Sequence, residues 1–233
     1  EFCGGLMVRE LASRHARVGG SATLLAPGPP GAKAPFVFLD LETTGLSGGA
    51  GTYAFLVGLG RFDDAGGFVT RQYFLAGFAG ERALLAALSL ELADAGAIVS
   101  FNGKSFDAPV LDTRYLFHRL ENPVARLHHL DALHSARRFW SDETATCALT
   151  TLEHKVLGAR RRDDVPGFEI PGRYFQFVRS GDCRPLAAVL EHNRRDLLSL
   201  AGLTARLFEL VEVGPGSVQD GQEALALGRV YDR

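Results

Sequence analysis

The chain has 233 residues, is 46% hydrophobic and 22% charged, and carries a formal net charge of −2. That length and balance suit one large α/β domain with short extensions and a core that needs no disulfide or zinc staple. Near-neutrality excludes a protein that coats nucleic acid by charge alone, which would be strongly basic.

Cys3, Cys147 and Cys183 are far apart and form no CxxC pair. This argues against a disulfide framework or zinc site and for a reducing cytoplasm. No apolar run is long enough to span a bilayer, and no segment resembles a signal peptide. Glu1 and Phe2 precede the only methionine, Met7; they read either as a cloning remnant or as the interior of a longer chain.

Residues 1–20 are expected to form a short basic helix, and the Pro/Gly-rich stretch 26–35 a linker, so that residues 1–34 form an extension. A domain then spans 35–212. Its first element, Phe36-Val37-Phe38-Leu39-Asp40-Leu41, is a continuous apolar run ending in an acid, as expected of a buried central strand. A glycine-rich turn at 45–51 leads to strands at 52–62 and 68–75, which complete an antiparallel meander. A helix at 80–95 follows, with Leu84, Leu85, Leu88 and Leu92 on one face. A strand at 97–101, a helix at 107–120 and a fifth strand at 127–130 come next, with helices at 150–157 and 186–211. Gly214 to Gly216 break the chain, and 213–233 reads as a linker and the start of a further helix. The order predicts an α/β fold with a mixed five-stranded sheet flanked by helices.

Asp40 and Glu42 lie two apart at a strand end, so the alternation of the strand puts both on one face. Asp107 opens a helix after another apolar strand, where it reads either as a capping residue or as a third member of one acidic site. His192 and Asp196 stand at i and i+4 on the long helix and share a face. Carboxylates from such elements can converge, and oxygen-only ligands suit Mg²⁺ or Mn²⁺. Two ions about 3.5–4 Å apart are a recurring device for phosphodiester cleavage, one activating water and one stabilising the leaving oxygen. His192 is placed to take the proton from that water.

Asp40 to Leu46 (DLETTGL) resembles the first motif of DEDD 3′–5′ exonucleases. Asn102 to Pro109 (NGKSFDAP) resembles the second, in the form found in proofreading domains of family B DNA polymerases, and His192 to Asp196 the third. The chain as a whole is similar to the bacterial YprB-type family of ribonuclease-H-like exonucleases from about Phe36 to Phe208. Further stretches carry the likeness: Leu130 to His134, Thr151 to Glu153, Val165 to Gly167 and Ile170 to Phe175. The resemblance implies a ribonuclease-H-like fold and a two-metal site of Asp40, Glu42, Asp107 and Asp196. It implies that Thr43 and Leu46 approach the terminal nucleotide and that Asn102 and Phe106 line the same cleft. It also implies that residues 217–233 begin a helical region after the nuclease domain. One departure stands out: three residues separate His192 from Asp196, the spacing of the tyrosine subclass, while the residue is that of the histidine subclass.

His128, His129 and His134 read as structural or surface groups. Arg160 to Arg162, Arg194 and Arg195 offer guanidinium forks suited to phosphate, whereas Arg137 and Arg138 read as solvated surface. Tyr174, Phe175 and Phe177 beside Arg173 could stack unpaired bases or could be buried. The expected activity is 3′–5′ exonucleolytic hydrolysis of single-stranded DNA, with RNA open, releasing nucleoside monophosphates. A ribonuclease-H-like endonuclease and a catalytically silent nucleic-acid-binding module are the alternatives.

Overall fold

A computed structural model describes residues 20–25, 31–45, 49, 51–140 and 147–232. The expected basic helix at 1–20 therefore lies almost wholly outside the described residues, as does half of the Pro/Gly stretch, residues 26–30. The first described element is helix α1 (Gly20–Leu25). A meander follows: β1 (Phe36–Thr43), β2 (Ala54–Phe62) and β3 (Phe68–Phe74). Then come α2 (Glu81–Glu91), β4 (Ala97–Ser100), α3 (Asp107–Phe117) and β5 (His128–Asp131). The rest is helical: α4 (Ala132–Trp140), α5 (Leu149–Leu157), α6 (Ile170–Ser180), α7 (Leu186–Val213) and α8 (Gly221–Tyr231).

The sheet order is β3-β2-β1-β4-β5. β1 runs antiparallel to β2 and parallel to β4, so it is central and the sheet is mixed. Being covered on both faces, β1 is built from consecutive apolar residues rather than alternating ones. Val37, Leu39 and Leu41 face one core with α2, α3 and α6. Phe36 and Phe38 face the other, with α7, α1 and α8. Period-2 alternation then sends Asp40 and Glu42 toward the α7 side. This single consequence of strand geometry decides where the acids meet.

Three helices were not expected as such: α1, α4 and α6. α4 starts directly at the end of β5 with no loop to announce it, and α6 opens with a proline in its first turn, where the missing N–H costs nothing. α1 buries Ala22 and Leu25 in the α7 core, and α8 buries Ala226, Leu227 and Val230 there. α8 is tied further by Trp140 Nε1 donating to Glu223 Oε1 (2.9 Å) and by an Arg206–Glu223 ion pair at 2.8 Å. α3 ends at Phe117, three residues short of the expected boundary, where Arg119 turns left-handed (φ 53°). Among the described residues no helix is long and apolar enough to cross a membrane.

Candidate active site

β1 carries Asp40 opposite Gly58 of β2. Gly58 has no side chain because the space is taken: a Cβ there would sit 2.2 Å from Asn193 Oδ1. Asn193 is fully buried on α7. Its Nδ2 donates to Asp40 Oδ2 (2.7 Å) and to the Asp40 carbonyl (3.2 Å), while its Oδ1 accepts from Gln72 Nε2 (2.9 Å). Gln72 also donates to the Leu190 carbonyl at 2.7 Å. Three strands and α7 are thus stitched together behind Asp40. Sequence reasoning missed Asn193 and Gln72. The available signal was Gly58 itself, since glycine inside a strand marks the close approach of another group. Gly58→Ala should therefore cost about 1–3 kcal/mol of stability by overpacking and lower activity through Asp40. A denaturant midpoint unchanged from the parent would refute that account.

The third acid, Asp107, is set by the turn after β4. Asn102 adopts a left-handed conformation (φ 66°), which asparagine tolerates better than most residues. Buried Asp131 clamps the turn. Its carboxylate accepts from the backbone N–H of Asn102 (2.7 Å), Lys104 (3.1 Å) and Leu133 (3.1 Å). Gly103 is again forced, because a Cβ would lie 2.4 Å from Ser100 Oγ and 2.8 Å from Asp107 Oδ2. Asp107 falls in the first turn of α3, and Phe106 occupies the cap position without a side-chain cap. The capping alternative is thus not realised.

The third cluster lies on α7. His192 Nδ1 bonds Asp164 Oδ1 at 2.8 Å, and its Nε2 stands 3.5 Å from Asp196 Oδ2. Arg161 pairs with Asp196 (2.5 Å), Glu153 (2.7 Å) and Asp164 (3.0 Å). Buried Glu153 also accepts from Ser199 Oγ at 2.7 Å. Asp164 and Glu153 had no assigned site role in the sequence, and Arg161 was read there as part of a basic run suited to phosphate. Arg161 and Asp164 lie in a loop whose partners are distant along the chain.

The four acids feel one another. Burial holds the Asp40 carboxyl well above the usual range, and Asp196, Glu42 and Asp107 push it further, against the Asn193 hydrogen bond. Burial, Asp196, Asp107 and Asp164 raise Glu42 to about 9. Burial and Asp131 raise Asp107 to about 7. Burial raises Asp196 too, although Arg161 and His192 pull it down. Such values make the folded state hold protons that the unfolded chain has released. The corresponding stability is fully present below the unfolded carboxylate range and is lost as pH rises through the folded values, up to about 9 for Glu42. Thermal melts in EDTA should accordingly show a higher midpoint at about pH 6 than at about pH 9. Divalent metal should flatten the difference, and a flat profile in EDTA would refute the coupling.

Asp40, Thr43, Asn102, Phe106 and Asp107 line one groove of about 360 Å³. Thr43 Oγ1 donates to the Gly45 carbonyl at 2.9 Å, and Phe106 is half exposed at the rim. Leu46 lies outside the described residues. The aromatic stretch on α6 packs inward: Tyr174 is buried and stacks on Phe55 at 4.1 Å, and Phe177 meets Phe74 at 5.3 Å. Phe175 remains partly exposed. Arg194 and Arg195 pair with Glu191, each at 2.7 Å. His129, pushed down to about 4 by burial, bonds Ser100 Oγ at 2.6 Å and is structural.

The donor set is all carboxylate, with Glu42 buried and Asp40, Asp107 and Asp196 half-buried, and mutually repelling, which fits a hard divalent cation in kind. In position it does not yet close. Among the described residues no three acidic, histidine or cysteine side chains are gathered tightly enough to hold an ion. Asp196 instead faces Arg161 and His192.

Comparison with known proteins adds the lineage. Over 196 residues the chain is 36% identical to YprB of Bacillus subtilis (strain 168), an uncharacterized protein; the match covers 83% of this chain and 47% of that one. The chain thus spans about half the length of this relative. A family B DNA polymerase from the hyperthermophilic archaeon Pyrobaculum calidifontis superposes with a TM-score of 0.57 at 14% identity, covering 82% of this chain and 26% of that one. At that identity the likeness is one of fold. The family model described as RNase_H superfamily matches residues 37–208, from β1 to α7. With its mixed five-stranded sheet flanked by helices, the chain belongs to the RNase H superfamily and has the ribonuclease-H-like fold.

Proposed function

We propose that the chain is a metal-dependent 3′–5′ exonuclease of the DEDD type, hydrolysing single-stranded DNA from its 3′ end and releasing nucleoside monophosphates. The observation that carries the reading is that Asp40 and Asp107 line one groove of about 360 Å³, with Glu42 and Asp196 close enough to oppose their charge. A binding module would gain nothing from holding repelling carboxylates together in burial.

In this mechanism the four acids would hold Mg²⁺ or Mn²⁺, which would supply the charge that neutralises the phosphodiester and makes the attacking water acidic. The chain's own residues do the rest. Asn193 fixes Asp40, and Asp131 fixes the turn that delivers Asp107. Thr43, Leu46, Asn102 and Phe106 receive the terminal nucleotide, Phe106 offering an exposed ring to a base. His192, steadied through Nδ1 by Asp164, presents Nε2 toward the acids and takes the proton from the attacking water. Nucleic acid is the partner, the setting a reducing cytoplasm, and the repair of DNA ends a fitting role.

Oligonucleotides of DNA and RNA labelled at the 5′ end, incubated with Mg²⁺, Mn²⁺ or EDTA, test the reading. A metal-dependent ladder that a 3′ block prevents is the expected result. Internal cuts would replace it with the endonuclease. Mn²⁺ binding without any cleavage would point to the silent module.

A further inference from the structure

The acidic site already contains a cation. Arg161 leaves only 7% of its side chain exposed and reaches three carboxylates, those of Asp196, Glu153 and Asp164. Its seat is built from below: buried Glu153 takes both Arg161 Nε and the hydroxyl of Ser199, one turn along α7 from Asp196. Asp196 Oδ1 is engaged by the Arg161 guanidinium, and its Oδ2 lies 3.5 Å from His192 Nε2. The Arg161–Asp196 contact is a close ion pair rather than an aligned hydrogen bond, so it is held by charge more than by direction.

We propose that Arg161 is the resident counter-cation of the site and competes with the metal for Asp196. This rests on the metal-dependent reading given above. One guanidinium places a single positive charge among Asp196, Asp164 and Glu153, with Asp40, Glu42 and Asp107 beyond them. A divalent ion brings twice that charge, but it can use Asp196 only after the guanidinium has let go. That exchange explains why no described group closes round an ion although the carboxylates are there. It also lets the fold survive without metal, since a buried carboxylate left wholly unpaired is strongly destabilising. Arg161 thereby sets the metal affinity from outside the ligand set. Two anchors, Glu153 and Asp164, keep the arginine beside the site once Asp196 is released.

Calorimetric titration of Mn²⁺ into the unmodified protein and into Arg161→Gln tests this. The variant should bind Mn²⁺ about tenfold more tightly or better, and in EDTA it should melt below the parent. Equal or weaker binding in the variant, with binding intact in the parent, overturns the proposal, because an arginine that merely ties the loop to α7 would leave affinity unchanged or lower it. Absence of Mn²⁺ binding in both proteins overturns the metal-dependent reading itself and the proposal with it. Should Arg161→Gln fail to fold, the unmodified protein decides. With an arginine-selective dicarbonyl reagent and residue-resolved mass spectrometry, Arg161 should be modified severalfold faster with saturating Mn²⁺ than in EDTA, and Arg160, which bonds His154, should keep its rate. An Arg161 equally protected in both conditions also overturns the proposal.

Discussion

Asp40→Asn should abolish metal-dependent cleavage, by roughly 10³-fold or more, and at the same time raise the melting temperature in EDTA. The two movements have one cause. Asp40 is held by burial and by three neighbouring acids in an environment that opposes its charge. The amide keeps the shape and can still accept from Asn193 Nδ2, but it removes the repulsion. What the fold loses by carrying the carboxylate, it recovers only when a cation arrives. A site residue of this kind trades stability for activity, whereas a structural residue loses both when changed. Cleavage assays and thermal melts on the same preparation measure the two quantities. A variant that loses activity and stability together would show that Asp40 holds the fold rather than the metal. A variant that cleaves at the parental rate would remove Asp40 from the mechanism.

How much of this could be read from the residues alone depends on where each effect originates. β1 was legible because a central strand covered on both faces must be apolar without alternation, and Phe36 to Leu39 are. The position of Asp40 and Glu42 on one face followed from the same strand. The third motif was legible because helical spacing alone brings His192 to Asp196. Asn193 was not, because its role exists only where α7 crosses β1 and β2; its partners Asp40 and Gln72 are 153 and 121 residues away along the chain. Arg161 was seen as part of a basic run suited to phosphate, and it is buried against acids instead. The run of three arginines carries no sign of this, since Glu153, Asp164 and Asp196 become its surroundings only on folding. The two readings of the α6 aromatics could not be separated by pattern for the same reason. Phe55, on a strand far back in the chain, is what makes Tyr174 a core residue. α4 escaped notice although Leu133, Ala136 and Phe139 form one helical stripe, because it is short and follows β5 with no turn between them.

His192→Ala should slow cleavage by about 10²–10⁴-fold, the range expected when a general base is removed. The unusual spacing to Asp196 makes this the sharper test of mechanism. On α7 the i, i+4 relation sets His192 Nε2 3.5 Å from Asp196, and Asp164, from a different segment, takes Nδ1 at 2.8 Å. A carboxylate on one ring nitrogen fixes the tautomer and orientation of the other, as a base that must face a water requires. Asp164→Ala leaves the imidazole in place without that partner, so its rate should fall between those of the parent and His192→Ala. The loss in His192→Ala should lie in kcat, with Mn²⁺ affinity close to that of the parent, whereas Asp164→Ala also frees an anchor of Arg161 and should shift the affinity. Single-turnover rates at saturating metal, with calorimetry on each variant, separate the cases. A His192→Ala enzyme that cleaves at a near-parental rate would pass the proton-accepting role to solvent hydroxide. An Asp164→Ala enzyme slower than His192→Ala would mean that Asp164 acts directly on the acid cluster, through Glu42 and Arg161, rather than through the histidine.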